Sequence, residues 1–142
     1  QIVLSGKTQD LEKLIEVLKG NSIKNIKLPV SAPFHCSLMS KATKIMTEEL
    51  NKISFSDGSN NLISNVTAEP ISNSEDLKSL LIKQIENRVR WRESVLNMIN
   101  NDVDHFIEIG PGKVLSGLVK RINREVKINT INSQEDIENL KI

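Results

Sequence analysis

The sequence predicts an α/β fold with largely parallel strands. Two patterns predict it. Short apolar runs alternate with segments of helical period along most of the chain. The run His105–Ile109 also passes through Gly110-Pro111-Gly112 directly into a helical segment, the strand–turn–helix step from which parallel sheets are built. A chain of 142 residues is long enough for a domain with a hydrophobic core.

The elements follow in order. Ile2 to Leu4 is an apolar run closed by Ser5-Gly6 and reads as a strand. From Thr8 to Lys19, the residues Leu11, Leu14, Ile15, Val17 and Leu18 recur at helical spacing, and Gly20 ends the helix. Ile23 to Val30 alternates, with Ile26, Leu28 and Val30 on one side, and reads as a second strand. This strand–helix–strand piece lacks partner strands, so its apolar edges should lie exposed. Pro33 breaks the pattern, and a helix is expected from His35 to about Lys52 on the spacing of Leu38, Ala42, Ile45, Met46 and Leu50. Residues 55–61 form a loop, and Leu62 to Val66 a short strand. Ser74 caps a helix running through Leu77, Leu80, Leu81 and Ile85. Trp91 to Asn100 is helical, His105 to Ile109 a buried strand, and Lys113 to Asn123 a helix. Ile128 to Ile131 and Gln134 to Leu140 complete the chain as strand and helix.

Composition removes several functions. A formal net charge of +1 supplies no field that would draw the chain to nucleic acid or an acidic membrane. Its aromatics are Phe34, Phe55, Trp91 and Phe106, too few for base-stacking platforms. No apolar run approaches membrane-spanning length. The single cysteine, Cys36, rules out an internal disulfide and fits a reducing compartment. Two histidines, one cysteine and scattered carboxylates suggest no metal cluster. Asn65-Val66-Thr67 matches a glycosylation sequon, as Asn-rich chains do by chance. A chain that opens on the strand-like QIVLSG reads as a piece of something longer.

Three segments carry candidate chemistry. In Leu28-Pro29-Val30-Ser31-Ala32-Pro33-Phe34-His35-Cys36, a strand runs into Pro33 and His35 falls at or near a helix start. Ala32, preceding proline, is pushed into an extended conformation, so the junction is a sharp turn that presents a side chain at a strand end. Spacing alone favours His35 as a surface cap, and Cys36 as a packing residue. The segment Ile82 to Trp91 reads as a helix end, a turn and a packed Trp. The segment from Phe106 through Gly110-Pro111-Gly112 to Leu118 is a strand, a glycine turn and a helix. It lacks both GxGxxG and GxxxxGK[ST], so a structural turn is the favoured reading over a phosphate cradle. His105, at a strand start, reads as structural.

Taken together, LPVSAPFHCSLM, NVTAEPISNSEDLKSLLIKQIENRVRWRESV and HFIEIGPGKVLSGLVKRI resemble, in order and separation, the malonyl-CoA:acyl-carrier-protein transacylases of type II fatty-acid synthesis. The resemblance implies an α/β-hydrolase-like core with an inserted ferredoxin-like subdomain. Residues 1–30 would end the small part, as its last βαβ piece, and residues 31–142 would be the C-terminal part of the core. It implies that a serine in a GHSxG elbow attacks malonyl-CoA and that a histidine takes the serine proton. The phosphopantetheine thiol of acyl carrier protein then accepts the malonyl group, with no cofactor. His35 stands in the place of the family histidine, and Gln84 in the place of the residue whose backbone carbonyl holds that histidine. Phe34 matches a pocket position linked to malonyl selectivity in related polyketide acyltransferases.

GHSxG, the oxyanion segment GQGSQ and the malonate arginine motif are absent from these residues and precede them in the family order. Arg88, Arg90 and Arg92 do not match that arginine. The expected partners are therefore acyl carrier protein and the N-terminal part of the same enzyme. Lys24, Lys120 and Arg121 are the candidate docking residues for the acidic carrier. Expected locations are a bacterial cytoplasm, or a eukaryotic plastid or mitochondrion. Two other readings stay open: an acyltransferase-domain fragment of a polyketide synthase, and a non-catalytic interaction domain of the same fold.

Overall fold

The computed structural model describes residues 2–58 and 62–140. They form two compact units, Gln1–Val89 and Arg90–Ile142.

The first unit opens on residues that the pattern reads as a strand, but Ile2 to Leu4 form no ladder. Helix α1 (Thr8–Gly20) follows, with Leu11, Leu14, Ile15 and Leu18 partly buried along one stripe. It ends at Gly20, the glycine expected to stop it. Ser22 takes the left-handed conformation, φ 58°, and the Ile23 N–H returns to the Leu18 carbonyl at 2.8 Å, a Schellman closure. The alternating segment 23–30 is also not a strand. A strand is a pairing, and among the described residues no neighbouring backbone pairs with it; the Val30 N–H folds back on the Leu28 carbonyl instead. Ile2, Ile26 and Val30 are exposed accordingly. Of the expected strand–helix–strand piece, the structure contains the helix.

The helix expected from His35 begins later. A short 3-10 turn, Ser37–Met39, precedes α2 (Ser40–Asn51), which packs on α3 (Ser74–Lys83). Of the loop at 55–61, the last three residues lie outside the described residues. Strand β1 (Leu62–Ile63) pairs antiparallel with β2 (Pro70–Ile71). The strand expected to reach Val66 is cut short because the Ser64 hydroxyl accepts the Val66 N–H at 3.1 Å and starts a turn. The Ala68 N–H closes that turn on the Ser64 carbonyl at 2.8 Å, and the Ser64 N–H bonds the Glu69 carbonyl at 3.0 Å. The cap of α3 is Asn73, not Ser74: extended Asn73 accepts the Asp76 N–H at 2.8 Å through Oδ1. Asp57 Oδ1 takes the Ser74 N–H at 2.8 Å, satisfying another donor of the first turn.

In the second unit, α4 (Trp91–Asn100) spans the residues its pattern predicts. Strands β3 (His105–Ile109) and β4 (Lys127–Ile131) lie parallel, His105 opposite Lys127 and Ile109 opposite Ile131. Helix α5 (Val114–Ile122) makes the crossover between them, and α6 (Gln134–Glu138) follows β4 under a Ser133–Asp136 capping box. Fully buried Val95, with Val119 and Val126, forms the centre of the core, and Trp91, Met98, Phe106, Ile122 and Ile128 pack round it. The observed strands are thus one parallel pair and one short antiparallel pair, a mixed α/β arrangement. Among the described residues, no helix is long and apolar enough to cross a membrane.

Candidate active site

His35 does not start a helix. It occupies the left-handed region, φ 62°, a conformation uncommon outside glycine that histidine visits more readily than most residues. The turn aims the side chain back at the C-terminal end of α3. Nδ1 of His35 lies 2.8 Å from the backbone oxygen of Gln84, and the His35 N–H donates to the Ile85 carbonyl at 3.2 Å. The last carbonyls of a helix have no intrahelical donor, and His35 supplies two. Because a carbonyl only accepts, Nδ1 carries the proton. The other ring nitrogen, Nε2, is then the one with a free lone pair in the neutral ring.

Sequence reading did not single out Asn65 beyond its sequon. Its Nδ2 donates to Gln84 Oε1 at 3.2 Å. Asn65, Gln84 and His35 therefore form one connected set within the first unit. Phe34, beside His35, is 49% exposed. The Cys36 thiol donates to the Pro33 carbonyl at 3.2 Å, which commits its proton to the turn rather than to the histidine. Lys24 is exposed on the segment after α1.

The other singled-out segment, in the second unit, is a structural turn. Gly110 and Gly112 adopt φ 134° and 100°, values that side chains rarely tolerate. The Gly110 N–H bonds the Ile131 carbonyl at 3.0 Å, and Asn132 Oδ1 takes the Gly112 N–H at 2.7 Å. The start of α5 is occupied from within: Glu108 accepts the Leu115 and Ser116 N–H groups at 3.1 and 2.7 Å. A phosphate there would meet the protein's own carboxylate. The Ser116 side chain and backbone N–H, with the Leu115 N–H, lower the Glu108 carboxyl from the usual glutamate range, and desolvation opposes them. Of these contacts, the two backbone bonds close in geometry; the buried Ser116 hydroxyl closes none.

A depressed folded-state pKa means that ionised Glu108 stabilises the fold above the ordinary glutamate value of 4.5, and that this contribution is lost as pH falls below it. Glu108→Gln should therefore lower the melting temperature near neutral pH, and the gap from the parent should close on acidification. A gap that persists unchanged well below pH 4.5 would contradict this cap.

His105 is structural in its contacts: Nε2 meets Asn129 Oδ1 at 2.7 Å across β3 and β4. Lys120 Nζ donates to the Arg124 carbonyl at 2.8 Å, and Arg121, beside it on α5, is exposed. Among the described residues, no three His, Cys, Asp or Glu side chains gather as a metal site would need.

These features define a mixed α/β protein in which a histidine meets a main-chain carbonyl rather than a carboxylate. The chain is a homologue of the malonyl-CoA:acyl-carrier-protein transacylases. It is 43% identical over 139 residues to the malonyl CoA-acyl carrier protein transacylase of Bacillus subtilis, covering 97% of this chain and 44% of that protein. It superposes on an acyl-carrier-protein S-malonyltransferase from Bartonella henselae with a TM-score of 0.88 at 40% identity, over 94% of this chain and 43% of that one. A malonyl-transacylase solved in complex with a type II PKS acyl-carrier protein matches at 30% identity and a TM-score of 0.87, over 94% of this chain and 43% of that one. No protein-family model matches the chain. The chain thus spans less than half the length of these relatives.

Proposed function

We propose that these residues are the C-terminal portion of a malonyl-CoA:acyl-carrier-protein S-malonyltransferase of fatty-acid synthesis, in which His35 is the general base. The observation that carries this reading is the 2.8 Å contact between His35 Nδ1 and the Gln84 carbonyl, in a chain homologous to transacylases over nearly its whole length. In this reading residues 1–30 end a ferredoxin-like subdomain and residues 31–142 belong to an α/β-hydrolase-like core. The bacterial source of the named relatives favours a bacterial cytoplasmic enzyme.

The chemistry follows from the tautomer. A serine outside these residues attacks the malonyl thioester carbonyl while Nε2 of His35 takes its hydroxyl proton. The tetrahedral intermediate collapses, the C–S bond breaks, and the CoA thiolate leaves as a thiol with the proton held by His35. A malonyl-serine ester remains. The same nitrogen then deprotonates the phosphopantetheine thiol of the carrier protein, which attacks the ester and releases the serine with its proton restored. The Gln84 carbonyl keeps Nδ1 protonated throughout, the orienting part that a carboxylate plays in a Ser-His-Asp triad. Phe34 stands beside the base, where it limits the acyl group. Likeness to a transacylase that serves a type II PKS carrier favours polyketide synthesis as the second reading.

Two tests follow. The complete protein should move malonyl from CoA to carrier protein, and absence of that transfer in folded protein would overturn the proposal. Carrier docking is assigned to Lys24, Lys120 and Arg121. Such exposed charges act weakly and are screened by salt. Lys120→Glu with Arg121→Glu should raise KM for the carrier severalfold at low salt and spare KM for malonyl-CoA. Unchanged carrier kinetics at low salt would remove Lys120 and Arg121 as a docking site.

A further inference from the structure

We propose that Asn65 is a positioning residue for His35, acting through the side chain of Gln84; its effect on catalysis rests on the reading of His35 as the base.

Gln84 is the C-cap of α3. Asn87 donates to the preceding Lys83 carbonyl twice, from its backbone N–H at 3.1 Å and from Nδ2 at 2.7 Å. This leaves the Gln84 oxygen to His35 Nδ1. A carbonyl at a helix end is steered by whatever fixes its own residue. Gln84 is fixed by its own N–H, bonded to the Leu80 carbonyl at 3.0 Å, and its side chain by the 3.2 Å bond from Asn65 Nδ2 to Oε1. Asn65 itself sits in a braced turn. The Ser64 N–H and carbonyl are tied to Glu69 and Ala68, and the Ser64 hydroxyl to the Val66 N–H. The turn between β1 and β2 is thereby linked through two side chains to the histidine ring. The left-handed backbone of His35 needs such over-determination, since sparsely populated conformations persist only where the surroundings fix them. Asn65 and Gln84 are both half-buried, which shields their bond from competing water.

The test reads the ring directly. In the complete protein with isotope-labelled histidine, at a pH above the imidazole range, ring-nitrogen chemical shifts report the tautomer. His35 should be in the Nδ1–H form. His105, whose Nε2 donates to Asn129, should be in the Nε2–H form and serves as internal reference. Asn65→Ala should let the Nε2–H form of His35 appear and should slow acyl-enzyme formation about threefold to tenfold, the effect of one net hydrogen bond. Gln84→Met keeps the backbone acceptor and removes the same bond from its other side. It should give the same shift, and the double variant no more than either single one. An unchanged His35 tautomer in both single variants would overturn the proposal. A shift in both, with normal acylation by His35→Ala, would leave the positioning intact and sink the reading of His35 as base.

Discussion

The 142-residue chain by itself is expected to transfer no malonyl group to carrier protein. The proposed reaction passes through a serine ester, and the serine lies outside these residues. A base without its nucleophile has nothing to activate. Cys36 is the chemically plausible substitute, but its proton is committed to the Pro33 carbonyl. Neighbours on a turn also point in divergent directions, which disfavours a thiolate pair with His35. Loss of the nucleophile in a serine–histidine system costs on the order of 10⁶-fold in kcat. Activity should therefore fall below detection and return when the chain is assayed within the complete protein. Turnover of malonyl-CoA to malonyl carrier protein by the purified chain would contradict this.

His35→Ala in the complete enzyme should lower kcat by roughly 10²–10⁴-fold, the span of general-base catalysis. A serine hydroxyl is a poor nucleophile until its proton is removed, so the loss falls on chemistry. KM for malonyl-CoA should change little, because the proposed grip on the malonate lies in an arginine outside the chain. Gln84→Ala separates two versions of the orienting contact. Alanine retains the carbonyl that His35 Nδ1 meets at 2.8 Å, so the loss should be modest, within the tenfold assigned to the Asn65 bond. An orienting carboxylate would instead lose heavily on truncation. Steady-state kcat and KM for both variants give the comparison. A Gln84→Ala loss as large as that of His35→Ala would place the orienting group on the Gln84 side chain.

Local pattern was enough for some elements and not for others. Helix α4 and strand β3 match their predicted limits because their residues pack round one small core, Val95 with Trp91, Met98 and Phe106, which periodicity encodes. The segments 2–4 and 23–30 carry equally clear strand patterns. They stay unpaired among the described residues because a ladder requires a second backbone, which no local pattern contains. Strand β2, only Pro70–Ile71, is too short to show a period. The site divides in the same way. The order of three segments pointed to His35 and Gln84, which lie 49 positions apart and meet in space. Pro33 and Ala32 predicted a sharp turn with a helix starting at or near His35, but not the left-handed conformation of His35 itself. Asn65 was visible only as a sequon, since a bond spanning 19 positions between a turn and a helix cap has no periodic signature.

The proposed base is tested most directly by acyl-enzyme formation from labelled malonyl-CoA, followed in a single turnover in the complete protein and its His35→Ala variant. The account predicts a malonyl-serine ester that forms rapidly in the parent and roughly 10²–10⁴-fold more slowly in the variant, with malonyl-CoA binding largely retained. Acylation of folded His35→Ala protein at the parental rate would contradict it.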